Sequence, residues 1–228
     1  ISPVIQKQIG CDKMLFDRIM LTSIQRINRE RSVSGIYYLL TGTKNIQTIQ
    51  DAHIFNNQSF YGICRNLKKS DFDKKINDLM KCGLLTQTYQ EQERLVVTCT
   101  EKAETLLTKN PSNFPLSYFQ GMKYTELAQV FYDRFLLLVQ TLTNVREYHY
   151  SFIPVIADLK IEQFVKKFYL QVKGKERAVL NSLYDELSYI LELVPEDAAG
   201  MFVDRLSGPH TYGKSLDQLA SNYHKEVM

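Results

Sequence analysis

The stretch VSGIYYLLTGTKNIQTIQDAHIF, residues 33–55, has the pattern of two short helices joined by a tight turn. The first helix is predicted over Val33–Thr41, because Gly42 supplies the left-handed residue that commonly ends a helix. The second helix is predicted over Ile46–Phe55, because Asn45 is a favourable N-cap residue. Two short helices with a glycine-containing turn between them are typical of a helix-turn-helix.

Amphipathic helices are predicted on both sides of this pair. The one before it covers Met14–Arg31, and its apolar residues recur at helical spacing on one face. The one after it has Ser70 as its predicted N-cap residue. The predicted core positions are Phe16, Ile19, Met20, Ile24 and Ile27 in the first helix, and Phe72, Ile76, Leu79 and Met80 in the second.

A β-hairpin is predicted next, from the runs Leu84–Tyr89 and Leu95–Cys99. The polar stretch Gln90–Arg94 joins them and lacks the Asn-Gly or Asp-Gly of a tight turn, so a longer loop is expected. Thr100 then caps a helix over Glu101–Lys109. Helices followed by a hairpin and a closing helix form the order of a winged helix.

The second half of the chain is helical in pattern from Tyr124 onward. The predicted fold is therefore mainly α, a winged helix-turn-helix with a small β-hairpin followed by an all-α helical domain. Two prolines mark the preceding stretch as a linker. The predicted organisation is an N-terminal tail (1–13), a winged-helix domain (14–109), a linker (110–123) and an α-helical partner-docking domain (124–228).

Leu180, Leu187 and Val194 repeat every seven residues within the predicted helix Glu176–Val194. Such a repeat suits either a helix that docks a partner or a plain bundle-core helix, and the second interpretation is favoured.

Charge also differs between the halves. Residues 1–110 carry a net charge of +5 and residues 111–228 carry −2. This asymmetry suits a nucleic-acid face followed by a protein-docking part.

Catalytic and metal-binding signatures are absent from the sequence. The four histidines are scattered without an HExxH motif, and the four cysteines form no CxxC pair. The chain also contains no GxSxG motif and no GxxxxGK[ST] phosphate loop. No enzymatic activity, metal, cofactor or small-molecule substrate is therefore expected. No apolar run approaches the length of a membrane span, and no secretory signal is visible, so no membrane partner is expected.

Three motifs resemble the RecQ C-terminal (RQC) winged-helix domain. They are Arg26-Ile27-Asn28, Leu40-Thr41-Gly42-Thr43-Lys44-Asn45 and Phe60-Tyr61-Gly62-Ile63. That family shows R-x-N, L-R-G-s-x-N and Y-G-x-G in this order and at similar distances. The resemblance covers residues 14–107 and continues through Gly83-Leu84-Leu85. The chain is also similar to the YpbB type of bacterial helix-turn-helix protein, which is encoded beside a RecQ-like helicase (RecS) that lacks the RQC part.

The resemblance implies a non-catalytic accessory subunit of a RecQ-like DNA helicase. Such a subunit would supply a winged-helix module in trans for DNA repair or recombination, binding duplex or forked DNA in the bacterial cytoplasm, at the nucleoid. The alternative is a winged-helix transcription regulator that binds specific duplex DNA as a dimer. YpbB-type proteins usually continue into a further helix-turn-helix, so this chain is expected to be a piece of a longer protein.

The resemblance also implies which residues contact DNA. At the start of the predicted helix Ile46–Phe55 these are Thr43, Lys44, Asn45, Gln47 and Thr48. The basic face would extend through Ser34, Arg65, Lys68, Lys69 and Ser70, and the wing would add Tyr89, Gln92 and Arg94. Tyr89 suits end-stacking on a base pair or cross-strand packing equally well. Three carboxylates weigh against DNA contact, because Asp51 weakens groove reading and Glu91 and Glu93 would repel phosphate at the wing.

Overall fold

The computed structural model describes residues 15–89, 94–109 and 116–223. The chain divides into two compact units, and the division falls between Thr125 and Glu126. Each unit is described by itself below.

The first unit is a winged helix-turn-helix with a small hairpin, as predicted. Its strands β1 and β2 pair antiparallel, with Leu85 opposite Cys99 and Tyr89 opposite Leu95. Short 3-10 turns lie at Gln58–Phe60 and Leu116–Tyr118. The helices and strands of this unit are α1 (Leu15–Ile27), α2 (Val33–Thr41), α3 (Ile46–Ile54), α4 (Lys69–Lys81), β1 (Leu85–Tyr89), β2 (Leu95–Cys99), α5 (Glu101–Lys109) and α6 (Gly121–Tyr124).

One apolar core holds this unit together. It contains the predicted stripe of α1 and the predicted positions Phe72, Ile76 and Leu79 of α4, whereas Met80 packs at its edge. Full burial of each large apolar side chain contributes about 1.5–3 kcal/mol. Two charged side chains of α1 are buried with it. The Asp17 carboxylate lies 2.6 Å from Lys75 Nζ of α4, and Arg18 donates hydrogen bonds to two carbonyl groups of α5.

Two predicted helix ends differ from the structure. The helix predicted to reach Arg31 ends at Ile27, because Asn28 and Arg29 adopt positive φ angles of 44° and 75°. The helix predicted to begin after Ser70 already includes Lys69, and Lys68 occupies its N-cap position. Ser70 therefore lies within the first turn. The predicted start of the first helix, Met14, lies outside the described residues.

Part of the predicted linker 110–123 packs on the first unit. Residues 116–118 and 121–124 are helical turns, and α6 packs against the turn Gln58–Phe60. The approach is close, because a Cβ at Gly121 would lie 2.2 Å from the carbonyl oxygen of Tyr61. The structure thus places residues 116–125 with the winged helix, and residues 110–115 lie outside the described part.

The second unit is all-helical where the structure describes it. Its helices are α7 (Ala128–Arg146), α8 (Leu159–Val172), α9 (Glu176–Glu192), α10 (Glu196–Asp204) and α11 (Leu216–Tyr223). Helices α8 and α9 both pack on α7. A small core of Leu137, Ile161 and Val165 lies between α7 and α8. The buried Gln140 ties down the α7–α8 connection, since its amide donates to Ile153 O and accepts from Val155 N.

The seven-residue repeat of α9 faces inward. Leu180 is buried and Leu187 is half-buried, while Val194 is half-buried just beyond the helix. This arrangement fits the bundle-core interpretation of the repeat. Among the described helices, none is both long and apolar enough to cross a membrane.

Candidate nucleic-acid interface

Gly42 and Gly62 build the turn between α2 and α3 by packing backbone against backbone. Gly42 ends α2 with a φ of 72°, and a Cβ there would lie 2.7 Å from the Cα of Gly62. The Gly62 amide donates to Leu39 O over 2.9 Å. The Tyr61 hydroxyl donates to the carbonyl groups of Gly42 and Thr43. These motif residues therefore fix the shape of the turn and do not themselves project from the surface.

Thr125 fastens the other side of Gly62. Its hydroxyl donates to Gly62 O over 3.0 Å and accepts from Arg65 Nε over 3.2 Å. A Cβ at Gly62, whose φ is 69°, would lie 2.4 Å from that hydroxyl oxygen. Arg65 is exposed, but its guanidinium is held against the protein by this contact.

Asn45 caps α3 as the sequence predicts. Its Oδ1 accepts a hydrogen bond from the Thr48 amide over 2.7 Å, which satisfies one of the unpaired amides of the first turn. Thr48 is only 5% exposed, so its side chain lies beneath the surface. Gln47 is exposed, but its amide donates to Asp51 Oδ1 over 2.7 Å. Within α3, the predicted contacts Asn45, Gln47 and Thr48 thus serve the helix itself.

Asp51 is held by an arginine that sequence reasoning did not pair with it. Arg31 donates from Nε and Nη2 to the two carboxylate oxygens of Asp51 over 2.7 and 2.8 Å. The hydrogen bond to Asp51 holds the pKa of Arg31 above its ordinary value. Asp51 is only 8% exposed. Its charge is therefore neutralised inside the domain and does not face outward.

The predicted DNA contacts around α2 differ in place and exposure. At the α2–α3 turn Lys44 is exposed and Thr43 is half-exposed, whereas Ser34 is half-exposed in the first turn of α2. Tyr38, one helical turn after Ser34, is 43% exposed, and its ring meets that of Tyr37 edge-on. Tyr38 was missed by sequence reasoning, although its spacing from Ser34 was a usable signal.

The start of α4 lies against α2. The Lys69 ammonium lies 5.4 Å from the ring centre of Tyr37 and is also paired with Asp73. Lys68 and Ser70, on either side of it, are exposed. The ammonium group of Lys69 thus already interacts with Asp73 and with the ring of Tyr37 inside the domain.

The wing is described only in part. Tyr89 ends β1 and pairs with Leu95, and Arg94 is exposed immediately before β2. Gln92 and the two glutamates of the loop lie outside the described residues.

The most exposed surface of α3 is apolar, which sequence reasoning also missed. Ile46, Ile49 and Ile54 are 76%, 40% and 65% exposed, and Gln50 and His53 are exposed between them. The spacing of residues 46, 49, 50 and 53 places them on one helix face. The pattern was visible in the sequence, but it was indistinguishable there from the core face of the helix.

Reactive groups do not gather at this surface. Across the described ranges, no three His, Cys, Asp or Glu side chains lie close enough to hold a metal ion. Burial raises the pKa of the Cys64 thiol to about 11 and that of Cys99 to about 12, with Glu104 adding to the second. Thiolates, the nucleophilic form, are therefore disfavoured at these two sites.

Residues 18–114 match the family model of the RQC domain. This chain carries an RQC domain. RQC domains are non-catalytic winged-helix domains that bind DNA, and the match confirms the resemblance expected over residues 14–107. The glycine contact, the capped α3 and the hairpin described above all lie within the matched residues.

Beyond the RQC domain, the similarity continues through the helical unit. The chain is 30% identical over 211 residues to Protein YpbB of Bacillus subtilis (strain 168). That alignment covers 92% of this chain and 59% of the relative, so the chain spans less than two thirds of it. No solved structure matches the chain. The findings support an RQC-containing protein of the YpbB type.

Proposed function

We propose that the chain is a non-catalytic DNA-binding accessory subunit of a RecQ-family helicase, supplying its RQC domain in trans for DNA repair or recombination. The RQC match over residues 18–114 carries the proposal. The family resemblance implies that the RQC domain normally follows a helicase motor, whereas YpbB-type proteins accompany a helicase that lacks an RQC part. Nucleoid association follows from the same proposal.

Contacts to the phosphate backbone would supply most of the DNA affinity. Lys44, Lys68 and Arg94 are exposed cations. Thr43, next to Lys44 in the chain, and Ser34 add hydroxyl groups. Each phosphate neutralised by a lysine or arginine releases counterions, which makes the affinity depend on salt. Such contacts position a protein on DNA without reading its sequence, as suits a helicase subunit.

The helical unit would bind the helicase. Helix α9 exposes Tyr184, Tyr189 and Ile190 to 72%, 63% and 50%, next to the carboxylates of Asp185 and Glu186. Large exposed apolar groups rimmed by charges commonly mark protein interaction sites. These exposed side chains of α9 are therefore the proposed docking surface.

The first experiment is capture of a RecQ-like helicase that lacks an RQC part, followed by fork binding of the complex at two salt concentrations. We expect capture, and tighter and salt-sensitive fork binding by the pair compared with either protein alone. Equal fork affinity with and without this chain would exclude the accessory role. The double variant Tyr189→Ser with Ile190→Ser should lose capture, whereas Tyr212→Ser, at a residue 93% exposed in the same unit, should retain it.

The second candidate is a winged-helix transcription regulator of specific duplex DNA. The uncharged exposed face of α3 favours it, because sequence-specific winged helices place this helix in the major groove. Regulators of this kind commonly bind as dimers. A stable dimer on a sizing column, with tight binding to one duplex sequence and no helicase capture, would favour the regulator over the accessory subunit.

A further inference from the structure

Helix α8 is basic, although the helical unit that contains it is acidic. The unit Glu126–Val227 contains 14 carboxylates against 11 lysines and arginines. The segment 159–177 reverses this balance, with six lysines and arginines against two carboxylates. All six cations are exposed, and they are Lys160, Lys166, Lys167, Lys173, Lys175 and Arg177. A cluster of cations in one place on an otherwise acidic unit is typical of a surface that binds a polyanion.

The buried residues and the lysines of α8 lie on opposite sides of the helix. Ile161 and Val165 pack towards α7 and are only 6% and 3% exposed. Lys160 and Lys167 are seven residues apart and therefore lie on one line along the exposed side, since 3.6 residues make a turn. Around this line the exposed surface continues, with no carboxylate among its residues Gln163, Lys166 and Leu170. These five residues are called the α8 lysine face.

The carboxylates nearest in sequence to this face are occupied or partly buried. Asp158 is the N-cap residue of α8, and its Oδ1 accepts hydrogen bonds from two amides of the first turn over 2.8 and 3.0 Å. Glu162 is half-buried. Backbone hydrogen bonds, chiefly that of Gly174, hold the pKa of Glu176 below its ordinary value. Among the described residues of the helical unit, the ion pairs do not involve a lysine of α8. An anion from outside the protein can therefore neutralise these lysines.

The form of the α8 lysine face suits a chain of phosphates. From Lys160 to Lys173 the lysines extend over about 20 Å at the rise of a helix, and each strand of duplex DNA presents a phosphate about every 3.4 Å along the axis. Single strands are held largely by bases stacking on aromatic rings. The α8 lysine face has no aromatic residue, and Arg134 already covers the ring of Phe164 at its edge, 3.9 Å from the ring centre. The backbone of a duplex is therefore the polyanion that this face fits.

We propose that the α8 lysine face is a second DNA-binding surface of the chain, which contacts the phosphate backbone of duplex DNA without reading its sequence. Lys160, Lys166 and Lys167 make the contacts. This surface goes beyond the accessory function proposed above, in which the RQC domain alone binds DNA. It leaves the proposed helicase contact in place, because that contact uses the exposed side chains of α9.

The test measures binding of the full chain to one duplex at several salt concentrations. Lys160→Gln with Lys167→Gln should lower the slope of log affinity against log salt by about two, because each neutralised phosphate contributes about 0.9. The control, Lys81→Gln with Arg146→Gln, removes the same charge at exposed residues of α4 and α7 and should leave the slope nearly unchanged. Equal reductions in the two double variants would show an effect of net charge alone and would overturn the proposal.

A background variant separates this surface from the RQC domain. Lys44→Ala with Lys68→Ala removes two exposed cations of the first unit. In that background the α8 substitutions should lower the slope by the same amount as in the unchanged chain, because sites without shared partners contribute additively. A slope that does not respond to them in either background would contradict the proposal.

The two proposals fail in different ways. If the α8 substitutions leave DNA binding unchanged while the chain still binds forks better with its helicase, the second surface is wrong and the accessory function stands. No DNA binding by the chain or its helicase complex would overturn both. Loss of helicase capture with unchanged DNA binding in the α8 variant would make the α8 lysine face a docking site for an acidic protein surface.

Discussion

At the scale of single residues, Gly62 has two independent reasons to be glycine. Its φ of 69° lies in the left-handed region, and a Cβ would lie 2.4 Å from the Thr125 hydroxyl. Gly83 provides a matched comparison, since its φ is 70° but nothing lies within 4 Å of the Cβ position. Comparing substitutions at Gly62 and Gly83 therefore distinguishes the cost of backbone strain from the cost of a steric collision.

Replacing Gly62 with alanine is expected to destabilise the RQC domain more than replacing Gly83. The backbone strain costs about 1–2 kcal/mol in both variants. Gly62→Ala adds overpacking against Thr125 of about 1–3 kcal/mol. Urea unfolding of the two variants measures the difference directly. Equal losses would mean that the contact with Thr125 yields without cost.

Lys75 is expected to be far more important for stability than an exposed lysine of the same helix. Lys75→Met leaves the Asp17 carboxylate, 3% exposed, without its 2.6 Å partner, and breaking a buried pair costs about 3–5 kcal/mol. Lys81→Met, whose side chain is 78% exposed and 3.8 Å from Asp78, should change stability by no more than about 0.5 kcal/mol. Chemical denaturation of both variants provides the measurement. Similar small losses would show that Asp17 is solvated or otherwise compensated.

At the scale of elements, the two helices of the helix-turn-helix were predictable because their ends carry local signals. Gly42 and Asn45 act through their own backbone and side chain, so neighbouring sequence is sufficient. The pairing of Arg31 with Asp51 joins two elements and is invisible to local pattern. The predicted cap Ser70 was wrong by position, because α4 begins at Lys69, two residues before the start that a cap at Ser70 implies.

The lysines at the turn and at the start of α4 are expected to contribute unequally to DNA binding. Lys44→Ala and Lys68→Ala should each lower the slope of log affinity against log salt by about one. Lys69→Ala should lower it less, because Lys69 is already paired with Asp73 and packed on Tyr37. Binding of a fixed duplex at several salt concentrations tests this order. A larger loss at Lys69 than at Lys44 would move the phosphate contacts to α4.

At the scale of the whole molecule, two prolines favour a linker at 110–123, whereas the first compact unit of the structure extends to Thr125. The contacts responsible are tertiary, between Gly121 and Tyr61 and between Thr125 and Gly62. Sequence periodicity carries no information about such contacts.

A fragment of residues 1–125 is expected to unfold cooperatively and at a higher temperature than one of residues 1–109. The longer fragment keeps α6 against Tyr61 and the Thr125 hydrogen bond to Gly62, and each such bond contributes about 0.5–1.5 kcal/mol. Thermal unfolding followed by circular dichroism compares the two. If the two fragments unfold at the same temperature, residues 110–125 do not stabilise the winged-helix domain, and its boundary lies at residue 109.

The back-to-back contact of Gly42 and Gly62 also has a consequence for finding related domains. A side chain at Gly42 would lie 2.7 Å from the Cα of Gly62, and one at Gly62 would lie 2.4 Å from the Thr125 hydroxyl, so neither glycine can be replaced without a shift of its neighbour. Relatives that keep this turn and the contact with Thr125 are therefore expected to keep both glycines. A search pattern that demands both, at this spacing and with an aromatic residue before the second, should therefore detect RQC domains that stand apart from any helicase motor.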